Sequence, residues 1–328
     1  MGKLLSSSSS SVPAGSTIPW AGLIHLFIVY VVWGSTYLAI RVAVREGAGF
    51  PPFALGASRV LLAGGLLILW AVLTRNRWRP TPKELAVLAA TGLLLWTGGN
   101  GMVNWAEQRA DSGYAALLVG SLPIWVALIE AILDRRLPSL LFVFSLLVGF
   151  AGVGLLTLPV LSTGTRSDIL SVLALILAPI CWGLGSIIQQ RRPVELTVPV
   201  CSGYQHLFGG FGFLVLTIAT GEPLPNPTPE AWLAWGYLLV FGSLIAFTSF
   251  IMAIRLLPMN IVMTYPYVNP VIAVILGWLI LGEEITATTI SGMLLVLLGV
   301  AGVFRDRYRM PPKATGRPEQ VTAVKATR

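Results

Sequence analysis

Arg59, Asn100, Asn104, Glu107 and His206 lie within or at the ends of stretches that are otherwise almost wholly apolar. A charge or amide in such surroundings must be paired, hydrated or used. Asn100 and Asn104 are one helical turn apart, with Trp96 a turn earlier and Glu107 a turn further on. One helix face therefore carries a ring, two amides and a carboxylate. Such a face either bonds helices together or lines water. Arg59 sits about seven residues inside its stretch, about 10 Å deep at helical rise. At that depth arginine can snorkel outward, hold a structural hydrogen bond, or contact an anionic group of a cargo. His206, with Tyr204 and Gln205 beside it, could couple a proton. Glu107 reads either as a solvated interfacial carboxylate or as a cation or proton site at a cavity mouth. Glu130, one turn before Asp134-Arg135-Arg136, reads as a member of an interfacial ion pair.

Two Trp-Gly pairs, Trp33-Gly34 and Trp182-Gly183, suggest a second kind of chemistry. A flat ring with one N–H donor beside a glycine lets backbone and cargo approach closely, although ordinary interhelix packing would use the same residues. Pro123 and Pro270 are candidate hinges of a gate, because an interior proline removes one helix hydrogen bond; Pro266 adds a second break. Tyr265, Tyr267 and Asn269 would then surround the broken segment, where freed carbonyls and polar tips can meet cargo. The cavity set is thus Trp33, Trp96, Trp182, Asn100, Asn104, Tyr267, Asn269, Arg59 and His206, with Glu107 and His206 as coupling candidates. No phosphate-loop or HExxH motif occurs, and His25 and His206 are the only imidazoles. Cys181 and Cys201 read as buried free thiols. Neither a cofactor nor a metal site is expected.

These residues need membrane helices to hold them. The 328 residues are 55% hydrophobic and 11% charged, with a mean hydropathy of +0.79, too few charges for a soluble surface. Stretches such as 21–40, 85–106, 231–254 and 285–304 contain no Asp, Glu, Lys or Arg and can cross a core of about 30 Å. Ten spans are expected, at 21–41, 52–73, 85–106, 113–133, 139–158, 168–188, 198–219, 231–253, 260–281 and 286–304. All-α architecture follows, since a lipid-exposed open backbone is not tolerated. Residues 1–19, with six consecutive serines, and 306–328, basic and proline-containing, read as disordered ends. The net charge of +8 reads as an orientation signal rather than a nucleic-acid footprint.

Shifted by about 147 residues the chain matches itself: Pro52 meets Pro199, Gly56 meets Gly203 and Pro123 meets Pro270. With a small drift Trp33 meets Trp182, and Gly149 and Gly152 meet Gly299 and Gly302, which read as packing faces. Lys and Arg number 17 on one side of the spans and 4 on the other, so both termini should be cytoplasmic. Each copy has five spans, so 20–158 and 159–305 form an inverted pair. Cytoplasmic Arg135-Arg136 is then mirrored by external Glu283-Glu284. Inverted repeats are the physical basis of alternating access.

The stretches YVVWGSTYLAIR at 30–41, GNGMVNWAEQ at 99–108, GSLPIWVALIEAILDRR at 120–136 and YVNPVIAVILGWLILGE at 267–283 resemble the EamA-type permeases of the drug/metabolite transporter superfamily. Within that family the first two are most similar to the YedA-like inner-membrane permeases. The resemblance implies ten helices in inverted halves and export of small metabolites, amino acids or drugs. A multi-pass transporter of the cytoplasmic membrane, monomeric or homodimeric, is therefore expected. Its partners would be a small-molecule cargo and the bilayer, with no nucleic acid. Proton antiport and facilitated diffusion both stand. The rival is an intramembrane enzyme acting on a lipid-linked substrate through Glu107, His206 or Arg59; a channel is disfavoured because no filter segment is visible.

Overall fold

The computed structural model describes residues 19–45, 47–108, 112–162, 169–281 and 285–309, and every element among them is helical. In chain order these are α1 (Trp20–Val44), α2 (Pro52–Leu73), α3 (Pro82–Ala106), α4 (Ser112–Val119), α5 (Leu122–Asp134) and α6 (Leu140–Ser162). There follow α7 (Ile169–Arg191), α8 (Val198–Thr220), α9 (Pro229–Leu256), α10 (Met259–Val262), α11 (Tyr265–Leu281) and α12 (Ala287–Arg309). Eight helical stretches among the described residues are long and apolar enough to cross a bilayer, and Leu140–Leu156 is a shorter apolar one. The expected Glu283-Glu284, residues 1–18 and the tail beyond Arg309 lie outside the described residues.

Helix starts follow local chemistry. Proline opens α2, α3 and α9, where its missing N–H is not needed. Thr81 and Glu84 form a reciprocal capping box on α3, and the Thr228 hydroxyl accepts the Ala231 N–H on α9. The last helix runs past residue 305 to Arg309, which corrects the expected start of the tail. Asp306 is buried there because it accepts the Ser139 hydroxyl, and Ser139 also caps α6 through the Phe142 N–H at 3.0 Å.

The stretches 113–133 and 260–281, expected as single spans, are each broken. Between α4 and α5, Ser121 precedes Leu122-Pro123, which places Pro123 in the first turn of a new helix. Between α10 and α11, Thr264 precedes Tyr265-Pro266, so Pro266 also belongs to a first turn. Neither proline kinks a continuous helix, because a first-turn N–H has no intrahelical acceptor to lose. Pro270, by contrast, is interior to α11, and Pro179 is interior to α7.

The most extensive packing joins α2 to α8 and α6 to α12, the helix pairs that the sequence repeat makes equivalent. Glycines bring them together. A Cβ on Gly299 would lie 2.6 Å from Gly149 Cα, one on Gly152 2.6 Å from the Val296 nitrogen, and one on Gly64 2.8 Å from the Gly203 carbonyl. The first helix of each copy inserts among helices of the other: α1 packs on α9 and α11, α7 on α3 and α5. These exchanges bring both tryptophans to the centre.

Candidate functional site

The central face of α3 widens into a π-helical segment, Leu93–Asn100, and α9 has its counterpart at Leu238–Ala246. Such segments shift the register of neighbouring side chains and frequently mark functional sites. In α3 the segment carries Trp96, Gly99 and Asn100; in α9 it carries Gly242. Each glycine receives the tryptophan of the opposite copy. The Trp33 indole donates to the Gly242 carbonyl at 3.2 Å, and a Cβ on Gly99 would lie 2.8 Å from the Trp182 ring.

A cavity of about 100 Å³ lies between the two copies. Its wall is formed by Trp33, Thr36 and Ile40 of α1, Arg59 of α2, and Trp96, Gly99, Asn100 and Val103 of α3. Val119, Leu122, Ala178, Pro179, Trp182, Gly242, Tyr265 and Asn269 complete it. The tryptophans form one aromatic cluster. Trp33 meets Trp182 edge-on with centroids 5.5 Å apart, and Trp182 lies 6.3 Å from Trp96. Tyr265 lies 5.0 Å from Trp33, and Phe250, fully buried, backs both Trp33 and Trp182. Pairs at these separations and angles are attractive beyond their burial.

Arg59 is the charge of this cavity. Only 3% of it is exposed, so it neither snorkels nor reaches the surface. One guanidinium nitrogen donates to Asn100 Oδ1 at 2.9 Å, and the group lies over the Trp96 ring, 5.4 Å from its centroid. Asn104, fully buried behind Asn100, donates to the same oxygen at 3.4 Å. No carboxylate among the described residues forms an ion pair with Arg59. Three buried donors around the cavity also lack a partner among the described residues: Arg59 Nε, Trp96 Nε1 and Trp182 Nε1. Unpaired donors in a low-dielectric wall are costly unless water or a ligand meets them.

The other candidates separate. Tyr265 and Asn269 face the cavity, and the Asn269 amide, oriented for bonding, donates to the carbonyls of Tyr265 at 3.0 Å and Tyr30 at 3.3 Å. Tyr267, two residues from each, points elsewhere along the helix and donates to the Leu146 carbonyl at 2.9 Å. His206 is not in the cavity wall either; it packs on Trp96 at 4.7 Å and on Phe247 at 4.6 Å. Its Nδ1 is 2.7 Å from the Ser202 carbonyl and so carries the proton, leaving Nε2 without a partner among the described residues. Arg59 and His206 both rest on Trp96, and no hydrogen bond joins them. Glu107 ends α3, half-buried and off the cavity wall. Glu130 and Asp134 share Arg191, at 3.9 and 2.9 Å. Gly34 and Gly183 leave room for Ile272 and Val126 of neighbouring helices, not for the cavity. Sequence reasoning missed the π segments, which no proline or glycine pattern announces, and Pro179, whose interior position was readable. Among the described residues no cluster of His, Cys, Asp and Glu could hold a metal.

Comparison with known proteins adds a family. Residues 20–158 and 169–305 each match the EamA-like transporter family. The chain is 32% identical over 297 residues to a protein of Escherichia coli strain K12 named as the uncharacterized inner membrane transporter YedA, covering 89% of this chain and 94% of that one. It is 22% identical to the uncharacterized transporter YoaV of Bacillus subtilis strain 168, over 85% and 94% of the two chains. A crystal structure aligns with a TM-score of 0.71 at 22% identity, covering 89% of this chain and 99% of that one.

Proposed function

As a member of the EamA-like transporter family this chain is a membrane transporter and not an enzyme, and we propose that it exports a small molecule through the central cavity by alternating access. The observation that carries this reading is a cavity walled by both copies, with one tryptophan from each held in the π segment of the other. A rocking of one copy against the other would then remodel the site itself.

In this reading ten segments cross the cytoplasmic membrane as two inverted sets of five, 20–158 and 159–305, with both termini inside. The 17-to-4 bias of Lys and Arg supports that orientation, and the relative named as an inner membrane transporter supports the location. Trp33, Trp96 and Trp182 enclose the cargo, and Asn100 and Arg59 bond it. Asn104 holds Asn100 and His206 holds Trp96 in place from behind, while Asn269, in the wall, ties α11 to the Tyr30 carbonyl of α1. The breaks before Leu122 and Tyr265, together with the interior Pro270, are where the wall would bend.

The experiment is cargo uptake into proteoliposomes and growth protection, screened across amino acids, nucleosides and toxic amphiphiles. Trp33→Ala, Trp182→Ala and Asn100→Ala should each cut flux at least tenfold at normal expression; unchanged flux in all three refutes the cavity assignment. Accumulation with and without a pH gradient tests coupling through Glu107 or His206, and equal accumulation excludes proton drive.

A further inference from the structure

We infer that the cargo enters this cavity as an organic monoanion with a flat apolar body, and that zwitterions and cations are disfavoured. The inference deepens the proposed function and rests on the cavity being the cargo site. Three observations carry it. First, Arg59 is a wall residue whose fixed positive charge meets no carboxylate among the described residues; its one side-chain bond goes to the neutral Asn100 amide. A buried charge without a counter-ion is strongly disfavoured, so an anion that supplies one is bound with that penalty relieved.

Second, the unmet groups of the wall are donors. Arg59 Nε, Trp96 Nε1 and Trp182 Nε1 all need acceptors, and a carboxylate offers two oxygens with about four lone-pair directions. Asn100 Oδ1, the side-chain acceptor nearest to Arg59, is already shared by Arg59 and Asn104. An ammonium group would therefore find no free carboxylate in the wall and would face the Arg59 charge. Glu107 does not alter this balance, as it lies off the wall and forms no ion pair with Arg59 among the described residues. Third, apart from Thr36 and Asn269, whose side chains donate to backbone carbonyls, the rest of the wall is ring, aliphatic and glycine surface, which favours a flat apolar body on the other end of the molecule.

Four probes with one skeleton isolate the charge: 3-phenylpropionate, 3-phenylpropionamide, phenethylamine and phenylalanine, titrated calorimetrically at pH 7.5 against the full-length protein in detergent. The expected result is a Kd for 3-phenylpropionate at least tenfold below the other three. Arg59→Gln should bring all four within about threefold, and Arg59→Lys should keep the anion first. The wild-type series stands alone if Arg59→Gln does not fold. Equal or tighter binding of phenylalanine or phenethylamine overturns the inference, as does failure of all four to bind. Loss of the winning probe's binding in Trp182→Ala keeps the cavity reading alive even when the anion preference fails. A preference for 3-phenylpropionate that survives both Arg59→Gln and Trp182→Ala overturns the inference and places binding outside this cavity.

Discussion

The two copies of the repeat build the same scaffold and furnish it differently. Each supplies a tryptophan to the centre, a π segment to receive the other's tryptophan, and a broken helix beside it. In the first copy Arg59 and Asn100 bring a charge and an amide to the wall. Where the repeat places Arg59 the second copy has His206, buried on a carbonyl, and after its tryptophan-receiving glycine, where the first copy has Asn100, it has Ser243, buried and off the wall. The tryptophans differ likewise: Trp33 is satisfied by the Gly242 carbonyl, whereas the Trp182 donor has no partner among the described residues. The breaks also fall one helical turn apart in the two copies, before Leu122 and before Tyr265. Symmetry thus serves the architecture and its motion, while a binding site for one asymmetric molecule requires that the furnishings differ.

Six substitutions probe this contrast, from the largest effect downward. Gly152→Val drives a branched side chain into the Val296 and Gly292 backbone of α12, which cannot yield, and should cost more than about 3 kcal/mol. Little folded protein is expected by size-exclusion chromatography, whereas Gly65→Ala, with nothing within 4 Å, should behave as wild type. Asn100→Asp places a built-in counter-ion 2.9 Å from Arg59; folding should persist while cargo flux in proteoliposomes falls tenfold or more. Retained flux would mean that the Arg59 charge is not used.

Paired Trp→Phe changes test the indoles directly. Trp33→Phe removes the bond to Gly242 and should lower thermal stability in detergent by about 1 kcal/mol. Trp182→Phe removes a donor with no protein partner, so stability should hold while cargo Kd rises; the reverse pattern would interchange their roles. The smallest effect is Glu222→Gln. The Glu222 carboxylate reaches from the loop after α8 to the Phe53 and Ala54 N–H groups at the start of α2. Losing its charge there should cost about 0.5–1 kcal/mol, read as a lowered melting temperature that high salt makes smaller.

Much of the fold was legible in the sequence because lipid imposes a coarse rule: apolar runs of sufficient length must be helical. The repeat was legible through prolines, glycines and tryptophans, which are harder than leucines to match by chance. The candidate site was legible in type but not in direction. Trp33, Trp96, Trp182, Arg59, Asn100 and Asn269 reach the wall, whereas Tyr267 turns to Leu146 and His206 stays behind Trp96. A helix in a bundle is apolar nearly all round, so no hydrophobic stripe marks which side faces the cavity. The prolines misled for a related reason. Whether Pro123 kinks a helix or starts one depends on the residues before it leaving the helix, and they do so at Ser121, whose N–H and hydroxyl both turn back to the Leu118 carbonyl.

By itself the sequence determined the membrane class, the duplication and the presence of one arginine deep in an apolar stretch, since composition and collinear residue types need no partner to be read. The tertiary structure decided that α1 and α7 exchange places between the copies, that Trp33 and Trp182 meet, and that Arg59 closes on Asn100 rather than on a carboxylate. These outcomes depend on helix rotation, which is set by glycine contacts and π segments distributed over both copies and is local to neither.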